Sequence, residues 1–277
     1  LPGVRHVFVE KILGPHERLP EDWAADGTTG YDFGRLVGAW LLPPEAPEPM
    51  SRIYAAFIGS DEDFDTLAVE AKRRVLAGPM VSEANLLAAR LDRIARRDRH
   101  TADFTRERLK RAIVEVIAFF PVYRTYASSR GIAEGDLEHL RWALARARSR
   151  SHAEDTSVYD FLEAVLTLRH FAEGPEARRA EVLEFAMRFQ QLCAPAMAKG
   201  VEDTAFYLYN RFAALNEVGG DPRRFGLSNG ALHQSNRERR ERLPFAMLAT
   251  STHDSKRSED LRARLAALAE LPDRWRR

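Results

Sequence analysis

Two acidic side chains stand where short apolar runs end, and they are the first candidates for chemistry in this sequence. Glu10 lies in the run Val7-Phe8-Val9-Glu10-Lys11-Ile12-Leu13. A carboxylate at the end of an apolar strand is costly to bury unless it is paired, protonated or functional. One reading is a salt bridge to a neighbour. The other is an acid in a partly apolar cleft, where burial would raise its pKa and make it a proton donor. Asp254, in Ser251-Thr252-His253-Asp254, follows a second run, Phe245-Ala246-Met247-Leu248-Ala249-Thr250. Here too two readings stand, because an Asp ahead of Ser255-Lys256-Arg257 could cap a helix. Two carboxylates on separate strands of one barrel face form the pair that glycosyl transfer needs. One protonates the departing oxygen while negative charge stabilises an oxocarbenium-like sugar.

The elements that must position them change texture twice. The β-like run around Glu10 breaks at Gly14-Pro15 and gives way to a turn-rich stretch reaching Pro49. That stretch holds Gly27-Thr28-Thr29-Gly30-Tyr31-Asp32 and a cluster at Pro43, Pro44, Pro47 and Pro49, and reads as a loop excursion. From Ser60 to about Gln191 apolar residues recur at helical spacing. Phe64, Leu67, Ala71 and Val75 make one stripe, Leu87, Leu91 and Ile94 the next, and Leu109, Ile113, Val116 and Phe120 a third. Further helices are expected around 136–148, 157–171 and 175–192, with Arg- and Glu-rich solvated outer faces. After Pro195 short apolar runs return, at Ala196-Met197-Ala198-Lys199-Gly200 and at residues 245–250, before a closing helix with Leu261, Leu265 and Leu268. Buried strands ending in charged residues and alternating with helices are what a parallel α/β barrel offers its active face. The expected fold is mainly α with a few parallel β-strands, a partial (β/α)8 barrel carrying a large helical insertion.

Composition narrows the function classes. The 277 residues carry 42 basic and 41 acidic side chains, a formal net charge of +1, so no basic excess points to nucleic acid or an anionic membrane. No stretch approaches the roughly 20 apolar residues of a membrane span, and the first residues do not read as a signal peptide. Cys193 is the sole cysteine, which rules out an intrachain disulfide and a thiolate cluster and fits a cytoplasmic setting. The histidines are scattered and no phosphate-cradling glycine loop occurs, so neither metal nor cofactor is expected. The start lacks a methionine, and the chain is expected to be an excerpt of a longer protein.

Longer runs carry a family resemblance. Val9-Glu10-Lys11-Ile12-Leu13, Gly27-Thr28-Thr29-Gly30-Tyr31-Asp32, Ala198-Lys199-Gly200-Val201-Glu202-Asp203-Thr204-Ala205-Phe206-Tyr207, Asn216-Glu217-Val218-Gly219-Gly220-Asp221-Pro222 and Ser251-Thr252-His253-Asp254-Ser255-Lys256-Arg257 resemble the maltooligosyltrehalose synthases. Those are glucosylmutases of the α-amylase superfamily. The resemblance runs from about Val9 to the last residue, more weakly through the helices. It implies that residues 1–59 hold the fifth barrel strand and its loop region, 60–192 a helical insertion, and 193–277 the sixth and seventh strands with their helices. It makes Glu10 the general acid/base and Asp254 the transition-state stabiliser, with His253 hydrogen-bonding sugar hydroxyls. Lys199, Glu202 and Asp203 would lie at the pocket rim, or else form a local ion-pair network. Phe206, Tyr207 and Tyr209 offer faces for sugar stacking or belong to the core. Trp23 and Tyr31 are expected on a loop, Tyr31 in contact with substrate.

One part of the family pattern is missing. The superfamily's nucleophile is an aspartate in Gly-x-Arg-x-Asp on the fourth strand, and no aspartate precedes Glu10. Arg90-Leu91-Asp92 lacks the glycine and sits on a helix whose Leu91 is a core position, so it is rejected. The implied reaction converts the reducing-end α-1,4 linkage of a maltooligosaccharide to α,α-1,1 by a retaining mechanism, in trehalose biosynthesis. The rest of the parent chain would complete the barrel, and the isolated chain is expected to be inactive. The alternatives are an α-amylase-type hydrolase or glucanotransferase, and a non-catalytic helical or carbohydrate-binding fragment.

Overall fold

The structure, a computed structural model, describes residues 3, 5–15, 17–151, 155–171 and 175–276. The expectation about a targeting signal falls partly on Leu1, Pro2 and Val4, outside the described residues. In chain order the elements are β1 (Phe8–Val9), β2 (Gly27–Thr28), α1 (Tyr31–Trp40), α2 (Pro47–Ile58), α3 (Phe64–Ala77), α4 (Val81–Ala95), α5 (Arg106–Ala118), α6 (Glu134–Ser149), α7 (Ser157–Leu166) and α8 (Glu176–Met197). After a π-helical turn, Ala198–Ala205, come α9 (Phe206–Leu208), α10 (Asn229–Arg242), α11 (Glu259–Leu268) and α12 (Pro272–Trp275). The chain divides into two compact units, Leu1–Phe64 with Ala205–Arg277, and Asp65–Thr204.

The second unit is mainly helical: among its described residues it holds no strand, and a non-helical stretch between α5 and α6 carries an isolated bridge between Ser128 and Gly131. The stripes legible in sequence become its core: Leu87, Leu91 and Ile94 of α4 bury with Leu109, Ile113 and Val116 of α5, joined by Leu162 of α7 and by Phe185 and Phe189 of α8. Thr105 caps α5 by accepting from Arg108 N at 3.3 Å, and α5 ends one turn before Pro121. Residues 157–171 hold a break rather than one helix. Leu168 takes φ 61 between α7 and a 3-10 turn at Arg169–Phe171.

The first unit carries the strands. β1 and β2 pair in parallel, Phe8 opposite Gly27 and Val9 opposite Thr28. A smaller apolar cluster beside them joins Leu42 and Met50 to Phe212, Leu215 and Ala266. The expected loop excursion between Gly14 and Pro49 contains α1 and the start of α2. Pro47 occupies the first turn of α2, where a missing N–H costs nothing.

Two strand expectations are corrected. Residues 196–200, expected as the sixth strand, are helical: Phe189, Leu192, Cys193 and Ala196 continue the buried stripe of α8 through Pro195 and into the π-helical turn. A short apolar run cannot by itself distinguish a strand from the end of a buried helix, and the preceding turns decide it. The strand that pairs in parallel with β1 is Gly27–Thr28 instead. Residues 245–250, expected as the seventh strand, form no ladder. They pack through their backbone onto glycines of β2 and α1, a contact made by close approach rather than by N–H to C=O pairing.

Candidate active site

Strand alternation sends Glu10 outward. Val9 is half-buried, Glu10 exposed and Lys11 buried, as successive residues of an extended chain should be. Lys11 turns inward to Glu17, Nζ to Oε1 at 2.5 Å with both side chains buried, and Glu17 Oε2 also accepts from Gly14 N at 2.9 Å. The salt bridge therefore belongs to Lys11 and leaves Glu10 for other partners.

Tyr31, at the first position of α1, supplies one of them. Its hydroxyl lies 3.3 Å from Glu10 Oε1 and 3.4 Å from Asp254 Oδ2, long contacts shared between two acceptors. The tyrosine is 5% exposed. Burial, followed by the charges of Asp254 and Glu10, pushes its phenol up to about 12, against a hydrogen bond with Thr252 that pulls the other way. The phenol thus stays protonated and remains a donor at neutral pH. Tyr31 was expected on a loop; it is instead a buried residue at the start of α1, with its hydroxyl beside both carboxylates. His253 Nε2 completes the group, 3.3 Å from Glu10 Oε1 and 3.6 Å from Asp254 Oδ2. The imidazole faces both acids.

Glu10 is 52% exposed, Asp254 55% and His253 72%. The apolar cleft expected around Glu10 is therefore not built by these residues. One ligand-type atom from each of the three lies within 4.8 Å of the others. That spacing suits hydroxyl recognition and would also admit a cation.

The turn holding His253 and Asp254 is fixed from several directions. Gly30 has φ 99, and a Cβ there would meet Ala249 N at 2.7 Å; a Cβ on Gly27 would meet Ala246 Cα at the same distance. The glycines of Gly27-Thr28-Thr29-Gly30 thus allow residues 246–249 to lie directly on β2 and the start of α1. Thr28 Oγ1 donates to Asp32 Oδ1 at 2.7 Å and accepts from Gly30 N at 3.2 Å, holding that approach. Downstream, Ser258 and not Asp254 caps α11, accepting from Leu261 N at 3.3 Å. Asp254 is free for other work.

Sequence reasoning missed the support beneath the turn. The buried Glu217 carboxylate accepts from Lys256 N at 2.6 Å, Arg257 N at 3.0 Å and its neighbour Val218 N at 2.9 Å. Arg262 Nε approaches it at 3.8 Å. The fully buried Asn216 donates through Nδ2 to the carbonyls of Phe206 and Tyr209 at 2.9 and 2.6 Å, while its backbone carbonyl accepts from Arg257 Nη1 at 3.1 Å. The only signal was the run Asn216-Glu217-Val218-Gly219-Gly220-Asp221, in which a carboxylate lies between an amide side chain and glycines.

The remaining expected site residues are placed differently. Phe206 is 3% exposed and stacks on Phe64 at 6.0 Å, so it is core and offers no face to a sugar. Lys199, Glu202 and Asp203 belong to the helical unit, on the π-helical turn and not after a strand. Lys199 pairs with Asp203 at 2.6 Å, and the buried Glu202 accepts from Tyr123 Oη.

No family model matches the chain. Among curated proteins it is 30% identical over 269 residues to proteins named maltooligosyl trehalose synthase in two strains of Mycobacterium tuberculosis, CDC 1551 / Oshkosh and H37Rv. Each alignment covers 97% of this chain and 32% of the relative. Among solved structures it is 37% identical to maltooligosyltrehalose synthase from Arthrobacter ramosus, with a TM-score of 0.83 over 98% of this chain and 32% of that one. A maltooligosyl trehalose synthase structure from Sulfolobus tokodaii, described as hypothetical, gives 30% identity and a TM-score of 0.72 over 99% and 31%. The chain spans about a third of the length of the curated relatives it matches.

Proposed function

We propose that this chain is the part of a maltooligosyltrehalose synthase that supplies the general acid/base and the transition-state carboxylate of an α-amylase-type barrel. The observation that carries the proposal is convergence. Glu10 and Asp254, separated by most of the sequence, bring a carboxylate oxygen each within 4.8 Å of the other and of His253. In this reading Glu10 protonates the glucosidic oxygen, Asp254 stabilises the oxocarbenium-like carbon, and His253 binds a sugar hydroxyl between them. The substrate is a maltooligosaccharide. Its released reducing-end glucose would turn in the pocket and attack through its anomeric hydroxyl, giving the α,α-1,1 linkage. The setting proposed is the cytoplasm.

A retaining mechanism also needs a nucleophile about 5–5.5 Å from the acid. Because the chain spans a third of each relative, the nucleophile and the other barrel strands are proposed to come from the rest of a longer protein. Two features support this. A two-stranded sheet is marginal alone, and Phe8 of its first strand and the preceding Val7 are exposed, as are Phe245, Met247 and Leu248. The half-exposed acids also lack the water-poor enclosure that favours capture by glucose over capture by water.

The test uses the longer protein with maltopentaose. Reducing ends should disappear, and Glu10→Gln and Asp254→Asn should each lower turnover by roughly 10²–10⁴-fold. Near-normal rates would overturn both roles, and a rise in reducing ends would make the enzyme a hydrolase. Product from the isolated chain would show that the remainder is not needed.

A further inference from the structure

The unit that carries the strands holds a cavity of about 310 Å³, walled by α1, by the segment around residues 214–227 and by the turn leading to Asp254. Tyr31 forms one wall, whereas Glu10, His253 and Asp254 do not line the cavity. It adjoins the turn of His253 and Asp254 through Thr252 and Ser255, without the carboxylate pair in its lining. We infer that this cavity is an oxyanion-binding site, with the Arg35 guanidinium as its principal recognition group.

Arg35 is the reason. Among the described residues it makes no hydrogen bond or ion pair, and its Nε is sealed from solvent without an acceptor. The charges nearest to it are Asp32, Asp221 and Arg224, two attractive and one repulsive, and burial weighs more than any of them, drawing its pKa down. The Nη atoms are not sealed in this way, so an anion in the cavity can reach that edge of the guanidinium and supply the counter-charge that its partly buried charge lacks. Arg262, on the same cavity wall, has a second buried Nε without a hydrogen bond; its Nη2 donates to Thr250 O.

The carboxylates that could have answered these cations are already occupied. Asp221 takes both prongs of Arg223, at 2.7 and 2.9 Å, and lies 3.5 Å from Arg224. Glu217 accepts from the backbone N–H groups of Val218, Lys256 and Arg257 and already faces Arg262 Nε at 3.8 Å, which leaves Arg35 as the cation without a counter-ion. Four guanidinium groups line the cavity against two engaged carboxylates, so the space carries net positive charge. A neutral ligand would satisfy the donors and leave that charge uncompensated. The planar guanidinium fork matches a carboxylate or a phosphate. At about 30 Å³ per water, the cavity has room for on the order of ten waters, ample for either group.

The test titrates inorganic phosphate and, separately, acetate into the chain at low ionic strength by calorimetry, with chloride as the control salt. At least one should bind saturably at a single site, and Arg35→Gln should weaken that binding at least tenfold with an unchanged far-UV spectrum. Arg35→Lys, which keeps the charge and loses the fork, should fall between. Tighter phosphate marks a phosphate or phosphoester as the occupant, tighter acetate a carboxylate. Should Arg35→Gln not fold, the parent chain still decides: the anion must raise its unfolding temperature above that in chloride of equal ionic strength. Glu10→Gln should bind the anion as the parent chain does, which separates this site from the sugar chemistry. No saturable binding of either anion, or equal binding by Arg35→Gln, overturns the inference.

Discussion

Gly30 and Gly38 lie on the same helix entry and exit, and replacing each by alanine should have opposite results. Gly30 adopts φ 99, a region costing a non-glycine residue about 1–3 kcal/mol. Its new Cβ would also stand 2.7 Å from Ala249 N, so that segment must move by about 0.7 Å to reach an ordinary 3.4 Å contact. Overpacking of this kind costs about 1–3 kcal/mol more. Together these predict a loss of roughly 3 kcal/mol and a melting temperature lower by about 10 °C. Gly38, within α1, has nothing within 4 Å of its would-be Cβ, so Gly38→Ala should gain about 0.5–1 kcal/mol from helix propensity alone. Thermal unfolding by circular dichroism reads both variants. The shift forced at Ala249 propagates to Asp254 five residues on, and a displacement near 1 Å at a reacting group is worth about 10²-fold in rate. Gly30→Ala in the longer protein should therefore lose turnover by about that factor while Gly38→Ala keeps it. Equal melting temperatures and equal rates for the two variants would refute the claim that the glycines seat the turn of His253 and Asp254.

Three further outcomes are expected. Tyr31→Phe keeps the buried ring and removes a donor that two carboxylates share at long distance, so turnover should fall about fivefold with little change in melting temperature; a loss beyond 100-fold would make the hydroxyl a direct participant. Glu217→Gln places an amide N–H against backbone donors at Lys256 and Arg257, and should cost about 2–3 kcal/mol by denaturant titration, together with turnover. In the helical unit, burial lowers the Lys72 ammonium to about 8 from an ordinary 10.5, while its Nζ donates to Phe120 O at 2.7 Å. The unfolded chain then binds the extra proton between those values. Lys72 should therefore contribute about 3 kcal/mol of stability as pH rises from about 8 to 10.5, opposed above about 9 by the Cys193 thiol, whose pKa burial raises; Lys72→Met should remove the rise between pH 7 and 9 in urea titrations.

The helical unit was legible because its signal is local. Leu87, Leu91 and Ile94 or Leu109, Ile113 and Val116 repeat at the spacing that buries one helix face, and nothing distant was needed to read them. The strands were legible only in part, because residues 196–200 look the same whether they pair in a sheet or finish the stripe of α8. Phe206 failed for a related reason: an aromatic beside a motif is equally able to stack on a sugar or on Phe64, and the choice depends on a partner far away in sequence.

The side chains of the candidate site and their supports differ in how they can be seen. Glu10, His253 and Asp254 announce themselves by type at the ends of apolar runs, since an acid there needs a reason. Glu217 does not, because its partners are backbone N–H groups at residues 256 and 257, which every sequence contains. The glycines behave likewise: Gly27 and Gly30 read as turn residues, yet their use is to let Ala246 and Ala249 come within a distance no Cβ would permit. Side-chain chemistry is therefore written in residue identity, and its positioning is written in backbone-directed contacts that only the fold reveals. It follows that substitutions at Glu217 and Gly30, neither of which touches the two acids, should disturb activity through the placement of Asp254, and a crystal structure of either variant should show the 252–257 turn displaced with Glu10 unmoved.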